Sequence, residues 1–136
     1  MTPPAPPAFD ILALGNAIVD VLGHVNDSVI DRLPVNKGAM TLVGAVEAQE
    51  IYGVLGPGVE CSGGSAANTV VGAAMLGARA AFFGRVKDDQ LGTVFTHDIR
   101  AAGVHFDTPP AQGGPETAVC LVMVTPDAHR TMCTHL

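Results

Sequence analysis

The residues best suited to chemistry lie in the stretch CSGGSAANTVVGAAMLG, from Cys61 to Gly77. Gly63 and Gly64 precede a run of small and apolar residues, which predicts a helix that ends at Gly77. A backbone without Cβ atoms lets a polar ligand approach the free N–H groups of a helix start, and Asn68 adds a donor and an acceptor. The same pattern is also typical of a core helix whose glycines allow close packing, so both interpretations stay open.

Hydroxyl side chains stand at the start of this predicted helix. Ser62 and Ser65 could each cap it by accepting a hydrogen bond from a free N–H group. Between the serines and Gly77 only Asn68 and Thr69 are polar, which predicts a helix buried around most of its circumference.

Two more polar residues follow a short apolar run. The run from Phe9 to Leu14 predicts a buried strand, and Asn16 and Asp20 come just after it. Open α/β sheets bind ligands at the carboxyl ends of their strands, so both residues are candidates for ligand binding. An ordinary turn role for Asp20 is the equal alternative.

Other well-known sites are not supported. The sequence contains no GxxxxGK[ST] phosphate loop and no GxSxG elbow, and the glycines do not fit GxGxxG. Five scattered histidines without HExxH spacing predict no metal site. Three cysteines without a CxxC pair indicate reduced thiols and disfavour a disulfide framework.

Composition indicates one folded domain. Of 136 residues, 48% are hydrophobic and 15% charged, and the net charge is -6. The absence of a Lys/Arg cluster disfavours nucleic-acid or anionic-membrane partners, and no apolar window is long enough to predict a membrane span. Residues 1–8 (MTPPAPPA) predict an extended Pro-rich tail and lack the features of a signal peptide, so we expect a cytoplasmic protein.

Strand and helix patterns alternate along the chain, which predicts a parallel sheet covered by helices. Strands are predicted at 9–14, 21–25, 37–43, 59–62, 79–86, 104–107, 118–124 and 130–136, and helices at 28–33, 44–55, after Gly64, and from Asp88 or Asp89 to Gly103. The last two strands, joined by Thr125–His129, predict a hairpin. Because the chain stops within a strand at Leu136, we expect a bare sheet edge there and hence a truncated chain.

Five segments together resemble one family. They are Gly15–Asp20, Ser62–Asn68 (SGGSAAN), Gly84–Gly92 (GRVKDDQLG), Asp98–Val104 and Thr125–Thr131. In this order they resemble the N-terminal part of a ribokinase/PfkB-family kinase, nearest to the adenosine-kinase-like branch, over residues 9–136. The resemblance implies a ribokinase-like α/β fold: a parallel sheet with flanking helices plus a small β-sheet lid, with the C-terminal half of the fold missing.

The resemblance also implies roles for individual residues. Asp20 would accept hydrogen bonds from the vicinal hydroxyls of a sugar, and lid residues from Thr117 to Cys120, with Met132, would cover the bound sugar or base. Arg130 would approach the transferred phosphate, with a surface arginine as the equal alternative. The remaining substrate contacts would come from Asn16, Gly63, Gly64, Ser65 and Asn68.

The family's GxGD-type catalytic base and its ATP and Mg²⁺ contacts are not found in the sequence and are expected beyond Leu136. The full-length parent would use ATP and Mg²⁺ to phosphorylate the primary hydroxyl of a ribonucleoside, adenosine first, or of a furanose sugar. This chain alone is predicted to bind neither ATP nor metal and to transfer no phosphate. The alternatives are a non-catalytic sugar- or nucleoside-binding module and a protein that forms homodimers through the lid sheet.

Overall fold

A computed structural model describes residues 7–136, so most of the predicted tail at residues 1–8 lies outside the described residues. The strands are β1 Ile11–Leu14, β2 Ile18–His24, β3 Met40–Leu42, β4 Val59–Gly63, β5 Ala80–Phe83, β6 Ala118–Val124 and β7 Arg130–His135. The helices are α1 Asp27–Ile30, α2 Ala45–Val54, α3 Ser65–Met75 and α4 Gln90–Ala101. These elements confirm the predicted α/β class.

The smaller sheet pairs β1 with β5 in parallel, with Leu14 opposite Phe83. The predicted strand at 104–107 contributes one bridge, in which His105 pairs with Ala81. Side chains alternate along β1, so Ile11 and Ala13 pack against the core while Leu12 and Leu14 are exposed. Helix α3 covers the inner face of this sheet.

The larger sheet has the order β3-β7-β6-β2-β4 and is mixed. Its β2–β6 and β3–β7 pairs are parallel, whereas β2–β4 and the predicted hairpin β6–β7 are antiparallel. A wholly parallel sheet is therefore found only for β1 and β5, because the hairpin β6–β7 and the return strand β4 add antiparallel pairs to the larger sheet. The bare edge expected at the last strand is wrong, since β7 lies between β3 and β6.

Helix α3 differs from the prediction at its start and in its burial. Its N-cap is Gly64 and no side chain caps it, so the predicted capping by Ser62 or Ser65 is wrong. Burial is one-sided: Ala67 and Val70 are buried, whereas Met75 is largely exposed. The helix packs mainly against the small sheet and less against β4, which limits burial to one stripe. The predicted left-handed residue at Gly77 is present, with φ +94°.

Three phenylalanines join the small sheet to helix α4. The rings of Phe82, Phe95 and Phe106 lie with centroids 5.4–5.9 Å apart, and all three are buried. Because α4 also packs against β4 and β2, it connects the two sheets. No helix within residues 7–136 combines the length and apolarity that a membrane crossing requires.

Candidate functional site

A row of four side chains crosses one face of the larger sheet. Asp20 of β2 is paired with Cys61 on β4 and with Cys120 on β6, and Cys120 is paired with Thr134 on β7. Directly paired residues face the same side of a sheet. These four residues, called the Asp20 row below, therefore share one face, and the carboxylate lies between two thiols.

Asp20 follows the end of β1, as predicted, but it lies within the next strand and not in the connection before it. Strand β2 begins at Ile18, ahead of the predicted start at Val21, so Asp20 lies within the strand. The apolar residues Ile18, Val19 and Val21 around Asp20 make this segment suitable for a strand. As a result the position of Asp20 is set by two neighbouring strands and not by a flexible turn.

The Asp20 carboxylate is partly buried, and within residues 7–136 no hydrogen bond reaches it. Burial raises the pKa of Asp20 above its usual value. Burial also raises the pKa values of Cys61 and Cys120, so both thiols stay protonated at neutral pH. The site therefore consists of one carboxylate, which receives no hydrogen bond from residues 7–136, between two uncharged thiols.

Gly63, the last residue of β4, lies directly against this carboxylate. A Cβ atom at this position would overlap the carboxylate of Asp20, so the contact requires glycine. The diglycine turn and Asp20 are thus in contact, as the site prediction requires.

Gly64 gives the chain the turn from β4 into α3. Its φ is +96°, a left-handed value that favours glycine, and a Cβ atom there would lie 2.9 Å from the carbonyl oxygen of Asn16. Asn68 N donates to Gly64 O at 2.8 Å, which forms the first turn of the helix. Since no side chain of the described residues caps α3, its first N–H groups are open to a ligand on the side of these residues.

The polar side chains around this turn are open to solvent. Asn16, Ser65 and Asn68 are all exposed, and no hydrogen bond to any of the three side chains occurs within the described part of the chain.

Helix α4 fixes the outer edge of this site. Ser62 N, on edge strand β4, donates to the Asp98 carboxylate at 3.1 Å. Asp98 thus satisfies an amide of the edge strand directly before the glycines. The sequence carries no motif for this contact, which depends on how α4 packs across β4.

Two predicted site residues on β7, the lid residue Met132 and the phosphate contact Arg130, lie at different distances from the Asp20 row. Met132 is partly buried and two residues from Thr134 on the same face. Arg130 is exposed and four residues from Thr134, about 13 Å along the strand. The structure therefore does not bring Arg130 next to Asp20 or to the diglycine turn.

The segment GRVKDDQLG builds a structural junction. Asp89 caps α4 by accepting from Gly92 N at 2.7 Å, and its carboxylate also accepts from Thr117 N at 2.9 Å and from Thr117 Oγ1 at 2.7 Å. Burial alone would raise the pKa of Asp89, but the hydrogen bonds from Thr117 and Gly92 outweigh it and hold the pKa below its usual value. This segment positions the start of β6 and hence Cys120.

Three residues of the site were missed at the sequence level. Cys61 and Thr134 belong to the Asp20 row, and Leu42 extends it because β3 pairs Leu42 with Thr134. Alternation along the predicted hairpin could have placed Thr134 beside Cys120. The other two depend on which strands become neighbours, and period-2 patterning does not carry that information.

The other face of the larger sheet carries a separate crevice of about 490 Å³ between α2 and α4. Its floor includes Val119 and Leu121, which alternate with Cys120 and so point away from the Asp20 row. Within residues 7–136 no group of three or more His, Cys, Asp or Glu side chains is arranged to hold a metal ion. All three cysteines are free thiols.

Comparisons with known proteins agree on one family. Residues 38–136 match the family described as pfkB family carbohydrate kinase. The chain is 34% identical over 77 residues to a probable fructokinase-4 of Arabidopsis thaliana, covering 53% of this chain and 22% of that protein. It is 28% identical over 116 residues to a fructokinase of Klebsiella pneumoniae, covering 85% and 31%.

Solved structures give the same result for the fold. An adenosine kinase from Sinorhizobium meliloti superposes with a TM-score of 0.86 at 52% identity, covering 96% of this chain and 40% of that chain. A probable sugar kinase from Rhizobium etli gives 0.86 at 49% identity, covering 95% and 39%. These likenesses confirm the ribokinase-like fold. The chain spans about two-fifths of these two proteins and less than a third of the two fructokinases.

Proposed function

This chain belongs to the pfkB family of carbohydrate kinases, and we propose that it forms the substrate-binding surface and lid of an ATP-dependent kinase that phosphorylates the primary hydroxyl of a ribonucleoside. Adenosine is the proposed substrate and a furanose sugar the second choice. The Sinorhizobium meliloti adenosine kinase is 52% identical to this chain, whereas the two fructokinases are only 28–34% identical to it.

One observation carries the proposal: the Asp20 carboxylate is partly buried, receives no hydrogen bond from residues 7–136, and touches the glycine turn at Gly63. An ionised carboxylate has two acceptor oxygens and can receive both hydroxyls of a vicinal diol. Each such charge-assisted bond is worth about 1.5–3 kcal/mol. The free N–H groups at the start of α3 and the exposed Asn68 supply donors for the other sugar oxygens.

The hairpin supports a covering role. Cys120 and Met132 place apolar side chains on the face that carries Asp20, next to where a sugar would bind. Movement of this sheet over a bound substrate would exclude water, which otherwise competes with the sugar hydroxyl for the phosphoryl group. Arg130 would reach the phosphate only after such a movement, because it lies about 13 Å along β7 from the Asp20 row.

The residues present do not fit an ATP–Mg²⁺ site. The sequence contains neither GxxxxGK[ST] nor a GxGD-type segment, and residues 7–136 hold no group of acidic, His or Cys side chains suited to a metal. A catalytic base typically contributes about 10²–10⁴-fold to the rate. We therefore propose that this chain alone transfers no phosphate, and that base, ATP and Mg²⁺ belong to the remaining part of a complete kinase.

Calorimetry tests the diol contact directly. This chain is titrated with adenosine, 2′-deoxyadenosine and fructose, and we expect adenosine to bind more tightly than its deoxy analogue by roughly 5- to 160-fold. The loss of one hydroxyl leaves an acceptor of Asp20 unpaired, which costs about 1–3 kcal/mol. Equal affinities for adenosine and 2′-deoxyadenosine would contradict the diol contact. Tighter binding of fructose than of adenosine would make fructose the better candidate substrate.

A second candidate is a sugar- or nucleoside-binding module without catalysis. The presence of Asp20, Gly63 and Asn68 without a GxGD-type segment favours it. Its signature is saturable binding by this chain with no ADP formed from ATP under any condition. Homodimerisation through the larger sheet is a further proposal, which sedimentation across a range of concentrations would test.

A further inference from the structure

The crevice on the back of the larger sheet has the size of a small-molecule site. Its volume is about 490 Å³, and such sites typically measure about 300–1,000 Å³. Val119 and Leu121 of β6 form its floor, and helices α2 and α4 form its two walls. All the lining residues lie between positions 45 and 135, so this chain forms the concave surface by itself.

The walls of the crevice are apolar and made of small residues. Ala45, Ala48 and Tyr52 recur at spacings of three and four residues, which places them on one side of α2. Gly53 extends this side of α2, and Leu91 lines the opposite wall from the first turn of α4. The small side chains leave the space open, and an occupant therefore needs an apolar body.

The rim of the crevice carries polar groups without partners. The exposed side chains of Gln49, Gln90 and Glu116 make no hydrogen bond or ion pair within residues 7–136. Glu116 brings a negative charge, and no lysine or arginine stands among the described residues that line the crevice. An anionic ligand would meet Glu116 without a compensating cation, whereas a cationic ligand would be attracted to it.

His135 adds a further acceptor to the lining. Its Nδ1 lies 3.2 Å from the carbonyl oxygen of Val43, which can only accept, so Nδ1 carries the proton. The neutral imidazole then presents Nε2 as an acceptor. Tyr52 donates its hydroxyl hydrogen to Glu60 at 3.0 Å, and its oxygen can still accept a hydrogen bond. A ligand that satisfies these groups must donate hydrogen bonds.

We propose that this crevice is a small-molecule site, separate from the Asp20 row, which binds an organic ammonium ion with an apolar body. The ammonium group pairs with Glu116 and donates to the amide oxygens of Gln49 and Gln90, while the apolar body lies on the floor of β6. Binding here is independent of the kinase function proposed above, because the floor residues alternate with Cys120 and face away from the Asp20 row.

Tryptamine is the probe, and indole-3-propionate is the matched control ligand. The two molecules share an indole ring and carry opposite charges at neutral pH. Because the chain contains no tryptophan, the fluorescence anisotropy of the indole reports the ligand alone. We expect saturable binding of one tryptamine per chain and about five- to tenfold weaker binding of indole-3-propionate.

Gly53→Leu tests the location of the site. A Cβ atom at Gly53 meets no atom within 4 Å, so the leucine side chain enters open space and takes up room in the crevice. Tryptamine should bind roughly tenfold more weakly or not at all. The matched control is Gly72→Leu on α3, another helical glycine whose Cβ atom meets nothing within 4 Å, and it should bind tryptamine as wild type does.

Glu116→Gln tests the charge of the site. Because Glu116 is exposed, the loss of its charge should weaken tryptamine binding roughly two- to fivefold without unfolding the chain. Glu50→Gln is the control, since Glu50 is an exposed carboxylate on α2 that does not line the crevice. Asp20→Asn separates the two sites, because the Asp20 carboxylate is the other group that could attract an ammonium ion.

Each outcome decides the matter. Tryptamine binding that Gly53→Leu and Glu116→Gln weaken, and that Asp20→Asn leaves unchanged, supports the proposal. Equal binding in all variants, a loss in Asp20→Asn alone, or no saturable binding to wild type overturns it. Equal affinities for tryptamine and indole-3-propionate also overturn it, because the site would then not select a cation. Adenosine binding is measured separately, so its absence would contradict the proposed kinase function and leave the crevice site intact.

Discussion

Gly63 lies against the carboxylate of Asp20 so closely that no Cβ atom fits between them. The two residues belong to neighbouring antiparallel strands, β4 and β2, and Gly63 is also the last residue before the turn into α3. One contact therefore links the Asp20 carboxylate to the start of α3.

Gly63→Ala should remove substrate binding while leaving the fold intact. The added methyl group overlaps the Asp20 carboxylate and forces it to rotate away, at a cost of about 1–3 kcal/mol in unfolding free energy. Calorimetry measures the loss of adenosine affinity, and urea denaturation measures the change in unfolding free energy. Gly72→Ala is the matched control: its Cβ meets nothing within 4 Å, so binding should be unchanged and stability should rise by about 0.5–1 kcal/mol. Unchanged binding in Gly63→Ala would contradict the contact.

Asp20→Asn should weaken adenosine binding roughly 10- to 160-fold for each charge-assisted bond lost. The variant should also be more stable than wild type at neutral pH. The folded-state pKa of Asp20 is raised by burial, so the stability it contributes is present below the unfolded value near 3.9 and is lost as pH rises through the folded pKa. Urea denaturation at pH 7 measures this, and a less stable Asp20→Asn would show that the carboxylate has a structural partner.

Asp89→Ala should destabilise the chain by about 2–4 kcal/mol. The change removes the cap of α4 and leaves Thr117 N without its acceptor. Asp88→Ala is the control, because Asp88 is exposed and accepts only from Gln112 in the described part of the chain. Urea denaturation gives the unfolding free energies of both variants. Equal values would contradict the structural role of Asp89 at the start of α4.

The pH dependence of Asp89 has the opposite sign to that of Asp20. Its folded-state pKa is lowered, so its contribution is present above the unfolded value near 3.9 and is lost as pH falls through the folded pKa. Asp89→Ala should therefore lose less stability than wild type on acidification below pH 4. Parallel acid-denaturation curves for the two proteins would rule out this contribution.

Asp98→Ala should destabilise edge strand β4 and weaken adenosine binding, because Ser62 N loses its acceptor next to Gly63. We expect a loss of about 1–3 kcal/mol in unfolding free energy. Asp98→Asn keeps an acceptor oxygen and should retain most of the affinity. Asp31→Ala, which changes an exposed carboxylate far along the chain from Ser62, is the control. Hydrogen exchange of the Ser62 amide should quicken in Asp98→Ala alone.

The amino-acid sequence by itself determined most of the local structure. Apolar runs and glycine signals located β1, β6 and α4 closely, and Gly77 and Gly103 end their helices with positive φ as predicted. These features depend on side-chain periodicity and on backbone freedom, which are properties of short segments. The family motifs likewise selected Asp20 and the diglycine turn as candidates.

Only the tertiary structure decided how those candidates are arranged. It placed Asp20 inside β2 between Cys61 and Cys120, brought Asp98 to Ser62, and left Arg130 distant from the row. It also made the larger sheet mixed and left Leu14 exposed. The physical reason is that strand neighbours and layer contacts arise between segments far apart in the chain, and a one-residue shift of register would turn every side chain to the other face.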